Sequence, residues 1–122
     1  MSEKLLYEQE GGIVVLTLNQ PEIRNPISGE ETIDALVDAL DRMNADPGVR
    51  VAILTGAGTA FSSGGNVKAM ADSLDERARA PIDTRGYYKG GIQRIPLAFE
   101  RLDVPIIAAV NGPAIGAGCD LT

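Results

Sequence analysis

One pattern occurs twice in this chain and limits what it can fold into. A run of small or β-branched apolar residues is followed by a glycine-rich loop and then by the start of a helix. The first copy spans residues 51–70 and the second spans 106–122. The apolar runs, 51–55 and 105–110, read as buried strands. Glycines in the loops permit positive φ and close backbone approach, which leaves amide N–H groups pointing into open space.

The rest of the chain fits an α/β arrangement in one domain, with no internal linker or low-complexity tract. Residues 4–9 have strand character, Gly11-Gly12 makes a turn, and residues 13–18 are apolar enough for a buried strand, so the pair reads as a hairpin. Pro21 and Pro26 mark 19–26 as a loop. Ser28 then opens a helix, because Ser28-Gly29-Glu30-Glu31 has capping-box spacing. Ile33, Leu36, Val37, Leu40 and Met43 form its apolar stripe, and Asp46-Pro47-Gly48 ends it. Further on, 66–74 reads as a short helix, 75–82 as irregular, and 83–101 as a helix weakened by Gly86, Gly90 and Gly91. The last helix begins at Cys119-Asp120-Leu121-Thr122 without a terminating Gly, a Pro or a basic last turn. This reads as the N-terminal portion of a longer domain, with a marginal terminal helix as the alternative.

Composition removes whole classes of function. The 122 residues are 44% hydrophobic and 23% charged, as in a globular chain able to bury a core. Residues 104–110 form the longest nearly unbroken apolar run, far short of a membrane span. The N-terminus lacks a basic-then-apolar signal, so a soluble, cytoplasmic protein is expected, without a membrane partner. A net charge of −6 argues against nucleic acid. Cys119 is the only cysteine and histidine is absent. Disulfides, Ser-His-Asp and Cys-His catalysis and histidine-ligated zinc therefore cannot be built within these residues, and no metal site is expected.

The glycine loops do not match the common phosphate motifs. Gly56-Ala57-Gly58-Thr59-Ala60-Phe61 has Phe61 where a dinucleotide fingerprint needs a third glycine. No P-loop occurs, and Ser63-Gly64 lacks the preceding glycine of a nucleophile elbow. Two loops that each present one backbone amide can instead converge on a single oxygen that gains negative charge, an oxyanion hole.

Four blocks carry a resemblance that sharpens this reading. Leu16-Thr17-Leu18-Asn19-Gln20-Pro21-Glu22-Ile23-Arg24-Asn25, Val51-Ala52-Ile53-Leu54-Thr55-Gly56, Phe61-Ser62-Ser63-Gly64-Gly65-Asn66-Val67-Lys68, and the run from Pro105 through Asn111-Gly112-Pro113-Ala114-Ile115-Gly116-Ala117-Gly118 come in this order and cover the chain nearly end to end. Together they resemble the crotonase, or enoyl-CoA hydratase/isomerase, superfamily. The resemblance implies a crotonase-like spiral of repeated ββα units, here cut short after the second glycine-rich loop, with 1–122 as an acyl-CoA-binding core. It also implies assembly of the full-length protein as a homotrimer or a dimer of trimers. The substrate would be an acyl-CoA thioester, with no cofactor beyond the coenzyme A that enters as part of it.

By position, the resemblance puts the two oxyanion amides on Gly65 and Ala117. It matches the first of two hydratase glutamates to Asp120 and leaves the second beyond Thr122. Aspartate is one methylene shorter than glutamate, and dienoyl-CoA isomerases of the family resemble this chain in carrying it. The leading expectation is hydration of the C2–C3 double bond of an enoyl-CoA. Double-bond isomerisation and non-catalytic acyl-CoA binding are the alternatives. Arg24 resembles a basic position near the nucleotide phosphates; Ile23, Ser63, Asn66, Val67 and Lys68 match positions lining the adenine and pantetheine channel.

Each residue also has a plainer role open to it. Gly65 and Ala117 could serve tight turns, and Asp120 could complement a helix dipole. Arg24 and Lys68 could be solvated surface charges. Ser62 and Ser63 read as loop residues bonded to backbone, and Cys119 as a small buried apolar residue. Tyr87 and Tyr88 fit either an acyl pocket or helix packing.

Overall fold

Alternation governs the first two strands. In Ile13–Leu18 (β2), Val14, Leu16 and Leu18 are buried while the residues between them are more exposed, the period-2 signature of a sheet with one covered face. Leu5–Glu10 (β1) pairs with it antiparallel, from Leu5 opposite Leu18 to Glu10 opposite Ile13, across the Gly11-Gly12 turn. The computed structural model describes residues 2–73 and 80–122.

The helix Glu30–Ala45 (α1) returns the chain, so that Val51–Gly56 (β3) lies parallel to β2. Ile106–Ala108 (β4) adds a second parallel pairing, giving a sheet of order β1-β2-β3-β4. Between β3 and β4 come Val67–Asp72 (α2), Pro81–Lys89 (α3) and Arg94–Glu100 (α4), and Ala117–Asp120 (α5) follows β4. The expected stripe of α1 is all buried. It packs with Ile95 and Ala98 of α4 against Val14, Leu16, Leu18, Ala52 and Leu54 on one face of the sheet. Arg94–Asp34 and Arg101–Asp41 ion pairs, at 2.6 and 3.1 Å, fasten α4 along α1 from the half-exposed side. Such exposed pairs add little stability beside the apolar contact. At the other end, the Ser2 hydroxyl and the Lys4 ammonium, 2.8 and 3.0 Å from the Glu31 carboxylate, hold its pKa below the usual glutamate range.

Four local expectations are corrected. Ser28 does not cap α1: Gly29 is the N-cap, without a side-chain bond, and the helix begins at Glu30. The Ser28 hydroxyl instead accepts the Asn66 N–H at 2.9 Å, because a tertiary partner competes for the oxygen a capping box would use. The single helix expected over 83–101 is two. Gly90 closes α3 and Gly91 begins the turn into α4, where Gln93 is the N-cap, as the helix-breaking tendency of a glycine pair dictates. The irregular stretch expected over 75–82 ends early: Pro81 occupies the first turn of α3, where a missing N–H costs nothing. Residues 74–79 lie outside those described. The last strand is shorter than the 105–110 run, with only 106–108 in the ladder.

Leu40 is 1% exposed in the middle of the α1–sheet contact. Leu40→Ala is expected to lower stability by about 2–5 kcal/mol, read as a fall in the urea midpoint with little change in slope.

Candidate active site

Three loops without regular structure lie edge to edge above the sheet. Residues 24–27 bond to 61–64: the Ser63 N–H donates to the Arg24 carbonyl and the Ile27 N–H to the Gly64 carbonyl, both at 2.9 Å. Residues 61–62 bond in turn to 113–115: the Phe61 N–H reaches the Pro113 carbonyl at 3.0 Å, and the Ile115 N–H reaches the Ser62 carbonyl at 2.9 Å. Parallel bridges Pro26–Gly64 and Ser62–Ala114 mark the same alignment. The fully buried Phe61 ring anchors the middle loop in the core.

Glycine brings these loops to backbone contact. A β-carbon on Gly64 would lie 3.0 Å from the Ala117 nitrogen and 3.1 Å from that of Gly118, and one on Gly118 would lie 2.8 Å from Ser62 Cβ. Gly64 has φ +79° and Gly116 φ +54°, left-handed conformations that a side chain disfavours. Each turns the chain immediately before a predicted amide, Gly65 in one loop and Ala117 in the other. Ala117 is the first residue of α5, where an N–H has no intrahelical acceptor. Neither the Gly65 nor the Ala117 N–H has a hydrogen-bond acceptor among the described residues. The structure thus brings two unengaged amide donors to adjacent turns.

The remaining candidates fall into groups. Asp120 is exposed at the end of α5, one helical turn beyond Ala117, and its own N–H bonds the Gly116 carbonyl at 3.1 Å. Ile23 and Asn66 both line a cavity of about 570 Å³ bounded by the N-terminus of α1, by α2 and by α3. Arg24 and Ser63 are joined through the backbone bond above. Arg24 is exposed with φ +63°. Asn66 caps α2, its Oδ1 accepting the Ala69 N–H at 3.0 Å. Val67 and Lys68 are exposed on the first turn of α2 and do not line the cavity. Tyr87 and Tyr88 line the cavity and meet each other edge to face at 5.6 Å. Cys119 corrects its expectation: it is exposed rather than buried, because it is the glycine beside it, Gly118, that faces Ser62. Among the described residues no cluster of three or more His, Cys, Asp or Glu could hold a metal ion, and no helix is long and apolar enough to cross a membrane.

Two asparagines that sequence reasoning passed over, Asn25 and Asn111, hold the loops in place together with Ser62. Asn25 is 1% exposed with φ +56°. Its side-chain amide donates to the Ala57 and Ala60 carbonyls at 2.9 and 3.0 Å, and its oxygen accepts the Gln20 N–H at 2.8 Å. Ser62, expected only to bond backbone, does so with consequence. Its hydroxyl donates to the Asn25 carbonyl at 2.7 Å and accepts the Gly64 N–H at 3.1 Å. Asn111 donates to the Gly56 and Gly58 carbonyls at 2.8 and 3.1 Å and accepts the Gly56 N–H at 3.2 Å. The available signal was an asparagine in a proline-bounded or glycine-rich loop, since Asn tolerates the left-handed region and bonds nearby backbone.

A family model described as enoyl-CoA hydratase/isomerase matches residues 8–122. The chain belongs to the enoyl-CoA hydratase/isomerase family. It is 36% identical over 121 residues to an enoyl-CoA hydratase of Mycobacterium tuberculosis, covering 95% of this chain and 42% of that protein. It is 32% identical over 120 residues to a crotonyl-CoA hydratase of Syntrophomonas wolfei, covering 98% and 43%. A solved enoyl-CoA hydratase/isomerase from Xanthobacter autotrophicus superposes with a TM-score of 0.84 at 34% identity, over 99% of this chain and 43% of that one. The expected α/β crotonase fold is borne out, and the chain spans less than half the length of these family members.

Asn25→Ala would leave the part-buried Gln20 N–H and Ala57 carbonyl without these partners, while the Ala60 carbonyl keeps Asn111, and would put a side chain other than Asn or Gly at positive φ. The expected loss is about 2–4 kcal/mol in urea unfolding.

Proposed function

We propose that residues 1–122 form the acyl-CoA-binding core of an enoyl-CoA hydratase, in which the Gly65 and Ala117 amides hold the thioester oxygen. The observation that carries this reading is the pair of unengaged N–H groups in adjacent turns, close to a partly apolar cavity. When hydroxide from water adds to C3 of a 2-enoyl thioester, electron density moves through the C2–C3 bond onto the carbonyl oxygen. Two fixed dipoles there stabilise the enolate with no change of protonation state, and one such donor is worth about 3–4 kcal/mol of barrier. Asp120 would take the proton from water and a second group in its carboxylic acid form would protonate C2, so the product gains one water in all and proton exchange with solvent returns both groups to their starting states.

Coenzyme A arrives as part of the substrate and no separate cofactor is needed. On a chain of net charge −6, Arg24 and Lys68 supply local positive charge for its phosphates. In this reading Ile23 and Asn66, which line the cavity, act with Ser63 and Val67 on the adenine and pantetheine parts of the thioester. Assembly as a homotrimer, or as a dimer of trimers, belongs to the same reading. A second reading, double-bond isomerisation, rests on the aspartate at 120, one methylene shorter than the hydratase glutamate.

The test is the infrared spectrum of bound crotonyl-CoA carrying ¹³C in its carbonyl. Binding to the two amides is expected to shift the carbonyl stretch to lower frequency, whether or not turnover follows. Ala117→Pro removes one donor at a helix position that accepts proline. It is expected to reduce that shift, and in a turnover assay to lower kcat by about 10²–10³-fold, with the far-ultraviolet spectrum unchanged. An undiminished shift in the variant would exclude Ala117 from the oxyanion site. In labelled water, hydration bleaches the conjugated thioester band and incorporates ¹⁸O, whereas isomerisation leaves product oxygen unlabelled.

A further inference from the structure

Gly65 is a glycine for a reason its backbone does not supply. Its φ lies outside the left-handed region that Gly11, Gly58, Gly64 and Gly116 occupy, so a side chain would be conformationally acceptable. What stands in the way is Met70: a β-carbon on Gly65 would run into its terminal Cε, with the Sδ at 3.9 Å. Met70 is four residues beyond Asn66 on α2, with its N–H on the Asn66 carbonyl at 3.0 Å. Side chains at this spacing lean back toward the helix start, and the methyl group comes to rest on the Gly65 α-carbon. Met70 also lines the 570 Å³ cavity, facing Gly86, Tyr87 and Tyr88, whereas Gly65 does not. The thioether therefore stands between the Gly65 backbone and the cavity.

We propose that Met70 is the residue that sets acyl-chain length in this site, as a movable wall between the Gly65 α-carbon and the tyrosine-lined cavity. This rests on the acyl-CoA reading above. Methionine is unbranched, with three rotatable side-chain bonds and a polarizable sulfur, so it fills a gap and also vacates it at low strain. With Met70 against Gly65, a short acyl group is accommodated without displacement. A longer straight chain must swing the thioether aside to enter the cavity. Shortening Met70 opens that route, and adding a methyl group at Gly65 drives the thioether toward the cavity and narrows it.

The experiment measures the affinities of butyryl-CoA and octanoyl-CoA by calorimetry for the wild type, Met70→Ala, Met70→Leu and Gly65→Ala. Met70→Ala is expected to raise the octanoyl-to-butyryl preference about tenfold, in line with the discrimination that apolar pockets achieve per group removed. Gly65→Ala is expected to lower it, and Met70→Leu, which keeps the bulk, to hold it within about twofold. Met70 is only half-buried, and Gly65→Ala tests the same wall from the other side if truncation at Met70 impairs folding. If both thioesters bind and the preference is the same in Met70→Ala and in Gly65→Ala, the Met70 assignment fails while the acyl-CoA reading stands. If the wild type binds neither thioester, the acyl-CoA reading fails and takes the Met70 assignment with it.

Discussion

The site depends on the requirement that buried peptide groups find partners. Loops 24–27, 61–64 and 113–115 have no ladder of their own, and each satisfies its neighbour's donors and acceptors. Such mutual bonding fixes the loops at backbone spacing, which only residues without bulk can tolerate at the crossings. Gly56 abuts the Ala60 and Phe61 carbonyls, Gly112 abuts Thr59, and Gly118 abuts Ser62. At these three positions glycine is thus a consequence of contact geometry. Once these groups are paired, the Gly65 and Ala117 N–H groups remain without acceptors among the described residues.

Two asparagines and a serine make that arrangement stiff. Asn25 bonds forward to 57 and 60 and back to 20, so a loop that follows β2 is locked to a loop that follows β3. Ser62 continues the chain of bonds from the Asn25 carbonyl to the Gly64 N–H, one peptide unit before the Gly65 amide. Asn111 does the same service between the ends of β3 and β4. Preorganisation of this kind is what an oxyanion site requires, because dipoles that must reorient during reaction lose much of their benefit.

Features governed by local periodicity were legible in the residues alone. The β1–β2 hairpin and the stripe Ile33, Leu36, Val37, Leu40 and Met43 on α1 follow from alternation and 3.6-residue spacing. The boundary between α3 and α4 was written in Gly90-Gly91, but the apolar residues on either side masked it. Ser28 misled because a hydroxyl at capping-box spacing cannot reveal a competitor 38 positions away at Asn66. Asn25 and Asn111 were silent for the same reason: their partners lie up to 35 and 55 residues distant along the chain. The pairing of the two amide-bearing loops was readable only through the resemblance, since nothing in either loop alone says which other loop it meets.

Gly64 and Gly65 are adjacent and chemically identical, yet the structure needs them for unrelated reasons. Gly64 has φ +79° and touches the Ala117 and Gly118 nitrogens, so both its conformation and its surroundings exclude a side chain. Gly65 is excluded only by the end of a flexible methionine. A substitution at 64 must distort the backbone that aims both amides, whereas one at 65 leaves that backbone alone and displaces Met70. The first position therefore governs the alignment of the donors, and the second governs how much room lies beside them. Separating alignment from room allows the space beside the amides to change without disturbing the pair of N–H groups proposed to act on the carbonyl.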